Sequence, residues 1–180
     1  VEDARQEWAY TSQTQWKQNL LLRLVAFFLC TSAIPALLPV AFGTGTVYGF
    51  MLALYGVGAF ASIAILGPPR SAAAIEKRLV AAQLVHACGL VAIGTSPSTW
   101  ITGLALVCCG GAWLAVSNGL MTAAQLQLPT HARGRGLSAV YAVGMAGLAL
   151  GGPLWGAIAS RFEIGTGFVC AGVTSVALLL

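Results

Sequence analysis

HARGRGLSAVYAVGMAGLALGGPLWG, residues 131–156, sets two arginines among glycines and then runs to Gly156 with no charge. The run continues uncharged to Ser160, so that 25 residues separate Arg135 from Arg161. A helix that crosses the hydrocarbon core of a bilayer needs roughly 20 mostly apolar residues. The stretch therefore reads as one crossing with a basic turn at its start.

The same spacing recurs along the chain. There are 46 uncharged residues between Arg23 and Arg70 and 54 between Arg78 and Arg133, room for two crossings in each gap. A further apolar run starts near Gly165 and reaches Leu180. Only 8% of the 180 residues are charged and 58% are hydrophobic, with a mean hydropathy of +0.84. Soluble domains carry about 25% charged residues, so the composition excludes a soluble globule and points to an integral membrane protein. The expected spans are about 24–42, 47–67, 79–96, 99–123, 137–159 and 166–180, six helices in an all-α membrane fold. The short breaks GTGT (43–46) and TSPST (95–99) have turn chemistry. The last helix is expected to be truncated, and the chain to be a fragment of a longer protein.

Alternating the loops across the bilayer puts Lys17, Arg23, Arg70, Lys77, Arg78, Arg133 and Arg135 on one side and Arg161 alone on the other. Positive residues mark the cytoplasmic side. The N-terminal segment 1–19, a loop or linker whose Trp8, Tyr10 and Trp16 suit the headgroup level, is then cytoplasmic. Arg70, Lys77, Arg78, Arg133 and Arg135 are read as topology anchors at the cytoplasmic mouth. An Arg-Gly RNA-binding segment needs repeats in a disordered chain, and two arginines between two spans supply neither, so no nucleic-acid partner is expected. Five cysteines lie in apolar runs without C-x-x-C spacing, which predicts neither a disulfide frame nor a metal site. No cofactor is expected.

Glycine is abundant, at 22 residues. Gly147 with Gly151, and Gly152 with Gly156, are spaced i, i+4 beside Gly144. Small residues at that spacing let neighbouring helices approach closely in lipid. Gly49, Gly56, Gly58, Gly110 and Gly111 are expected to act similarly, and Pro35, Pro39 and Pro153 to remove backbone bonds. A static bundle and a set of helices that rock against one another both fit this pattern.

Charged residues are absent from the middle of every span. His86, with Gln83 one turn earlier, is the one titratable group inside a span, and the expected role is a structural hydrogen bond to another helix. Gly111, Ala115, Asn118, Thr122 and Gln125 fall on one face of the fourth span. Trp113 and Ser117 lie nearby, and Ser138, Tyr141 and Met145 form a weaker stripe on the fifth. Interhelical packing and the wall of a solute cavity are both open for these stripes.

From Asn118 to Gly156 the chain resembles the major facilitator superfamily. The features that carry the likeness are Leu128-Pro129, Arg133 to Gly136, the glycine-rich helix, Gly151 to Gly156, and Ala157 to Phe162. The nearest likeness is to bacterial exporters related to the enterobactin exporter, the transmembrane secretion effectors. The resemblance extends over Leu20 to Leu180 as the C-terminal six-helix half of a 12-helix fold. It implies a multi-pass protein of a bacterial cell membrane that exports a drug-like or siderophore-like small molecule by alternating access. The implied partners are that solute, the lipid bilayer and the N-terminal half of the same transporter. The resemblance also places the fourth span beside the central cavity. Trp113, Ser117, Asn118, Thr122, Gln125 and Tyr141 become the substrate-cavity candidates, with no catalytic residue and no metal. Arg133 and Arg135 would pair with acids of the other half. The loop from Gly67 to Arg78 departs from the family's Gly-x-x-x-Asp-Arg pattern by lacking the Asp. Two rivals remain at this level. One is a non-transporting six-helix scaffold, and the other is an intramembrane hydrolase using Ser117 and His86.

Overall fold

A computed structural model describes residues 18–43, 45–65, 67, 71–128 and 133–178. Among these residues there are six helices and no strand. They are α1 (Gln18–Phe42), α2 (Thr46–Ile65), α3 (Ala72–Thr95), α4 (Thr99–Gln127), α5 (Arg133–Arg161) and α6 (Ile164–Ala177). The first five are long and apolar enough to cross a membrane, and α6 is a shorter apolar helix of 14 residues. The chain is an all-α membrane protein.

Several helices run past the spans that charge spacing marks out. Charge ends an apolar window but does not end a helix, because Lys, Arg and Glu are good helix formers. Thus α3 starts at Ala72, where Ser71 accepts a bond from the Ala74 N–H at 3.2 Å and caps the first turn. Glu76, Lys77 and Arg78 are consequently helical. Arg133 and Arg135 likewise lie in the first turn of α5 rather than in the preceding loop. α1 ends at Gly43, whose φ of 71° lies in the left-handed region that glycine enters without steric cost.

α2 packs along α4, α4 along α3, and α3 along α6, while α1 packs against α5 and α6. Exchanging helices one to three with four to six maps most of these contacts onto one another. α2 on α4 corresponds to α5 on α1, α3 on α4 to α6 on α1, and α3 on α6 to itself. The packing is thus roughly two-fold symmetric, three helices against three. One buried cluster gathers Leu24, Phe27, Leu79, Val116 and Leu120 at the basic end of the bundle. A second gathers Ile34, Leu38, Leu90, Leu106, Trp155 and Phe168 toward the other end.

Burial is unequal. Only 11% of the most apolar stretch of α2 and 17% of that of α5 is covered, against 44% to 56% for α1, α3 and α4. Two long helices therefore leave most of their surface free of this chain.

Candidate functional site

The first half of the α4 stripe is a packing surface. Gly111 lies against Gly58 and Ser62 of α2, and Ala115 is buried. Gly58 and Gly110 are where the two backbones touch. A Cβ on Gly58 would overlap the carbonyl of Val107, and one on Gly110 would overlap the carbonyl of Tyr55. Trp113 is half-buried beside them, its ring 6.0 Å from that of Tyr55 at an interplanar angle of 43°.

One turn further along, the helices part. Asn118 and Thr122 line a crevice of about 200 Å³ with Ser62, Ile63 and Gly67, and with Ile75, Arg78 and Leu79 of α3. Arg78 donates from Nη1 to the Gly67 carbonyl at 2.8 Å, which fixes its guanidinium at the α2–α3 connection. Charge spacing marks Arg78 only as an anchor, and no sequence signal placed it beside Asn118. A larger cavity, about 950 Å³, opens at the same end around an ion pair between Arg23 and Glu76. The pair is 2.6 Å long and largely exposed. None of the predicted substrate residues lines that cavity.

The chain matches the family model described as transmembrane secretion effector over residues 1–180. The protein belongs to the transmembrane secretion effector family. This is a family of the major facilitator type of transporter, as the glycine-rich fifth span and basic loop suggested. No curated protein and no solved structure matches the chain.

The remaining expected residues lie apart. Ser117 is partly buried, and its Oγ has no partner. Gln125 is exposed near the end of α4, and Tyr141 is exposed on α5. The structure thus brings together Asn118, Thr122 and Arg78, but does not bring Gln125 or Tyr141 to that crevice. Lys77, Arg133 and Arg135 are exposed. Arg70 and Lys17, with Trp8, Tyr10 and Trp16, lie outside the described residues.

The α5 glycines divide. Gly144 faces Leu24 and Phe28, while a Cβ on Gly147 or Gly151 would press on the α1 backbone at Val25 or Leu29. Gly152 only approaches Ala36, and Gly156 has nothing close. Gly49 and Gly56 are also free of neighbours. The lock between α1 and α5 includes a bond that sequence reading missed. Trp155 is 2% exposed and donates from Nε1 to the Leu29 carbonyl at 2.7 Å. That carbonyl also accepts from Ser32 Oγ at 2.6 Å.

His86 is fully buried between α3 and α1. Its Nε2 is 3.5 Å from Thr31 Oγ1, and its ring lies 5.2 Å from that of Phe27. Gln83 donates to the Ser175 carbonyl of α6 at 3.2 Å. His86 Nδ1 and Ser117 Oγ are both without partners, so the two residues share no hydrogen bond and form no dyad.

Proposed function

We propose that this secretion effector is the C-terminal half of a secondary active efflux permease in a bacterial cell membrane. Its N-terminal segment lies in the cytoplasm, and its cargo is a drug-like or siderophore-like small molecule. The two halves of the whole transporter rock against one another around a central cavity, and the reaction involves no covalent chemistry.

The observation that carries this reading is the second face of α5. The glycine face is buried on α1, but the opposite face is also built from small residues. Ser138, Ala142, Ala146, Ala149, Pro153 and Ala157 are all exposed there. Small residues in a membrane helix serve close helix contact, because lipid tails give apolar bulk nothing to gain by association. The exposed side of α2 is more mixed, since Phe50, Val57, Phe60 and Ile63, which suit hydrocarbon, stand beside Gly49, Ala53 and Gly56. A helix with two small faces supports a helix neighbour on each, and among the described residues α1, α6 and, more lightly, α4 pack on α5 while Ala142, Ala146 and Ala149 stay exposed.

Arg133 and Arg135 fit the same reading. They occupy the first turn of α5, the positive end of the helix dipole, where a cation is disfavoured. Their role is external to the helix, as pairing groups for acids of the other half in the outward-facing state. Trp113 and Ser117 contribute to the cavity side of α4, with Gln125 and Tyr141 at its mouth, while Asn118 and Thr122 look into the crevice shared with α2 and α3.

The test is solute flux by the whole protein in sealed proteoliposomes under an imposed proton gradient. Movement of a cationic dye or a catecholate that stops when the gradient is dissipated is the expected result. Flux that persists without the gradient would exclude proton antiport, and no flux of any probe would favour a scaffold.

A further inference from the structure

The crevice between α2, α3 and α4 holds a cation with no acidic partner among the described residues. The ion pair in this region is Arg23–Glu76, which commits Glu76 away from Arg78. Arg78 has five N–H donors, and the Gly67 carbonyl takes one of them. Two other lining groups can donate. Asn118 and Thr122, one turn apart on α4, have no side-chain partner among the described residues and line the space directly. Ser62 gives its own proton to the Ala59 carbonyl at 2.8 Å, so it offers only lone pairs. Among the described residues no carboxylate lines the crevice.

We infer that this crevice binds a phosphate oxyanion, with the Arg78 guanidinium as the charge and the Asn118 amide and Thr122 hydroxyl as flanking donors. Guanidinium and oxyanion match in geometry, since two parallel N–H groups meet two oxygens. The space suits such a group, because water takes about 30 Å³ in the liquid and the crevice measures about 200 Å³. Its depth suits it too. Arg78 stands at the end of the bundle that also carries Arg23, Lys77, Arg133 and Arg135. Basic pockets between membrane helices at that level take lipid headgroups. The phosphate source is thus either an anionic phospholipid or a soluble phosphate. The inference concerns binding and does not rest on the transport reading.

The experiment is native mass spectrometry of the whole protein in detergent micelles, titrated with phosphatidylglycerol, with phosphatidylcholine and, separately, with inorganic phosphate. The expected result is retention of phosphatidylglycerol over phosphatidylcholine, with retention falling about tenfold in Arg78→Gln. Thr122→Val and Asn118→Ala should lower it by smaller factors, and they answer for the site if Arg78→Gln does not fold. Lys77→Gln removes the same charge one residue away, outside the crevice, and should retain the lipid as the parent does. Binding of inorganic phosphate that is lost in Arg78→Gln would make the source soluble and keep the site. Equal losses in Arg78→Gln and Lys77→Gln, or no dependence of either ligand on Arg78, Asn118 or Thr122, would overturn the inference.

Discussion

Trp155 is the residue whose role is most sharply drawn. Pro35 has no N–H for the Thr31 carbonyl, and within this irregular turn of α1 the Leu29 carbonyl receives bonds from both Ser32 and Trp155. Trp155→Phe keeps most of the apolar bulk but loses the indole bond, and should lower stability by about 0.5–1.5 kcal/mol. Trp155→Ala also leaves a void, and should cost about 3–5 kcal/mol. Thermal unfolding in detergent, followed by tryptophan-independent light scattering, reads both. Equal stability of all three would deny the lock. His86 supports the opposite expectation. Its one contact to Thr31 is long, and its Nδ1 is unsatisfied, so an apolar side chain of similar size removes a buried cost. His86→Leu should leave stability within about 1 kcal/mol of the parent or above it, and should leave flux intact. Loss of flux with retained folding would make His86 a proton site instead.

At the level of helices, the close approaches separate glycines that sequence alone treats alike. Gly58→Ala and Gly110→Ala force a methyl onto the partner backbone, and each should cost about 1–3 kcal/mol. Gly56→Ala and Gly156→Ala meet open space within this chain and should be neutral in isolation, or slightly stabilising through better helix propensity. Unfolding midpoints of the four variants measure the contrast, and a uniform response would show that the α2–α4 contact is looser than described. The number and order of helices were legible because charge is excluded from hydrocarbon, so Arg23, Arg70, Arg78, Arg133, Arg135 and Arg161 bracket the crossings. The face each helix buries was less legible. Gly147 and Gly156 belong to the same i, i+4 pattern, yet only Gly147 meets a backbone, because pattern records spacing and not which neighbour arrives. Gly89, Gly94, Gly165 and Gly172 stand outside any such pattern and still lie in the α3–α4 and α3–α6 contacts. Asn118 and Thr122 were visible as a polar stripe. Their meeting with Arg78 was not, since it depends on which face α3 turns toward α4.

For the whole molecule, the pseudo-symmetric packing and the unequal burial belong together. α2 and α5 are exchanged by that pseudo-symmetry, and among the described residues they are the two long helices least covered. The α5 side lined by Ala142, Ala146, Ala149 and Pro153 is the proposed seam with the other half. Replacing Arg133 and Arg135 by Gln should weaken closure of the basic end and raise the reactivity of a cysteine placed at the inner mouth of the cavity. Unchanged reactivity and flux would leave them as topology anchors. The seam itself is tested by gradient-driven dye flux in proteoliposomes, comparing the whole protein with its Ala149→Trp variant. Flux should collapse with the gradient in the parent and be lost in Ala149→Trp, while the variant still inserts and unfolds at the parent's temperature. Parent-like flux through Ala149→Trp would contradict it, since a face turned to lipid tolerates a tryptophan and a seam between moving halves does not.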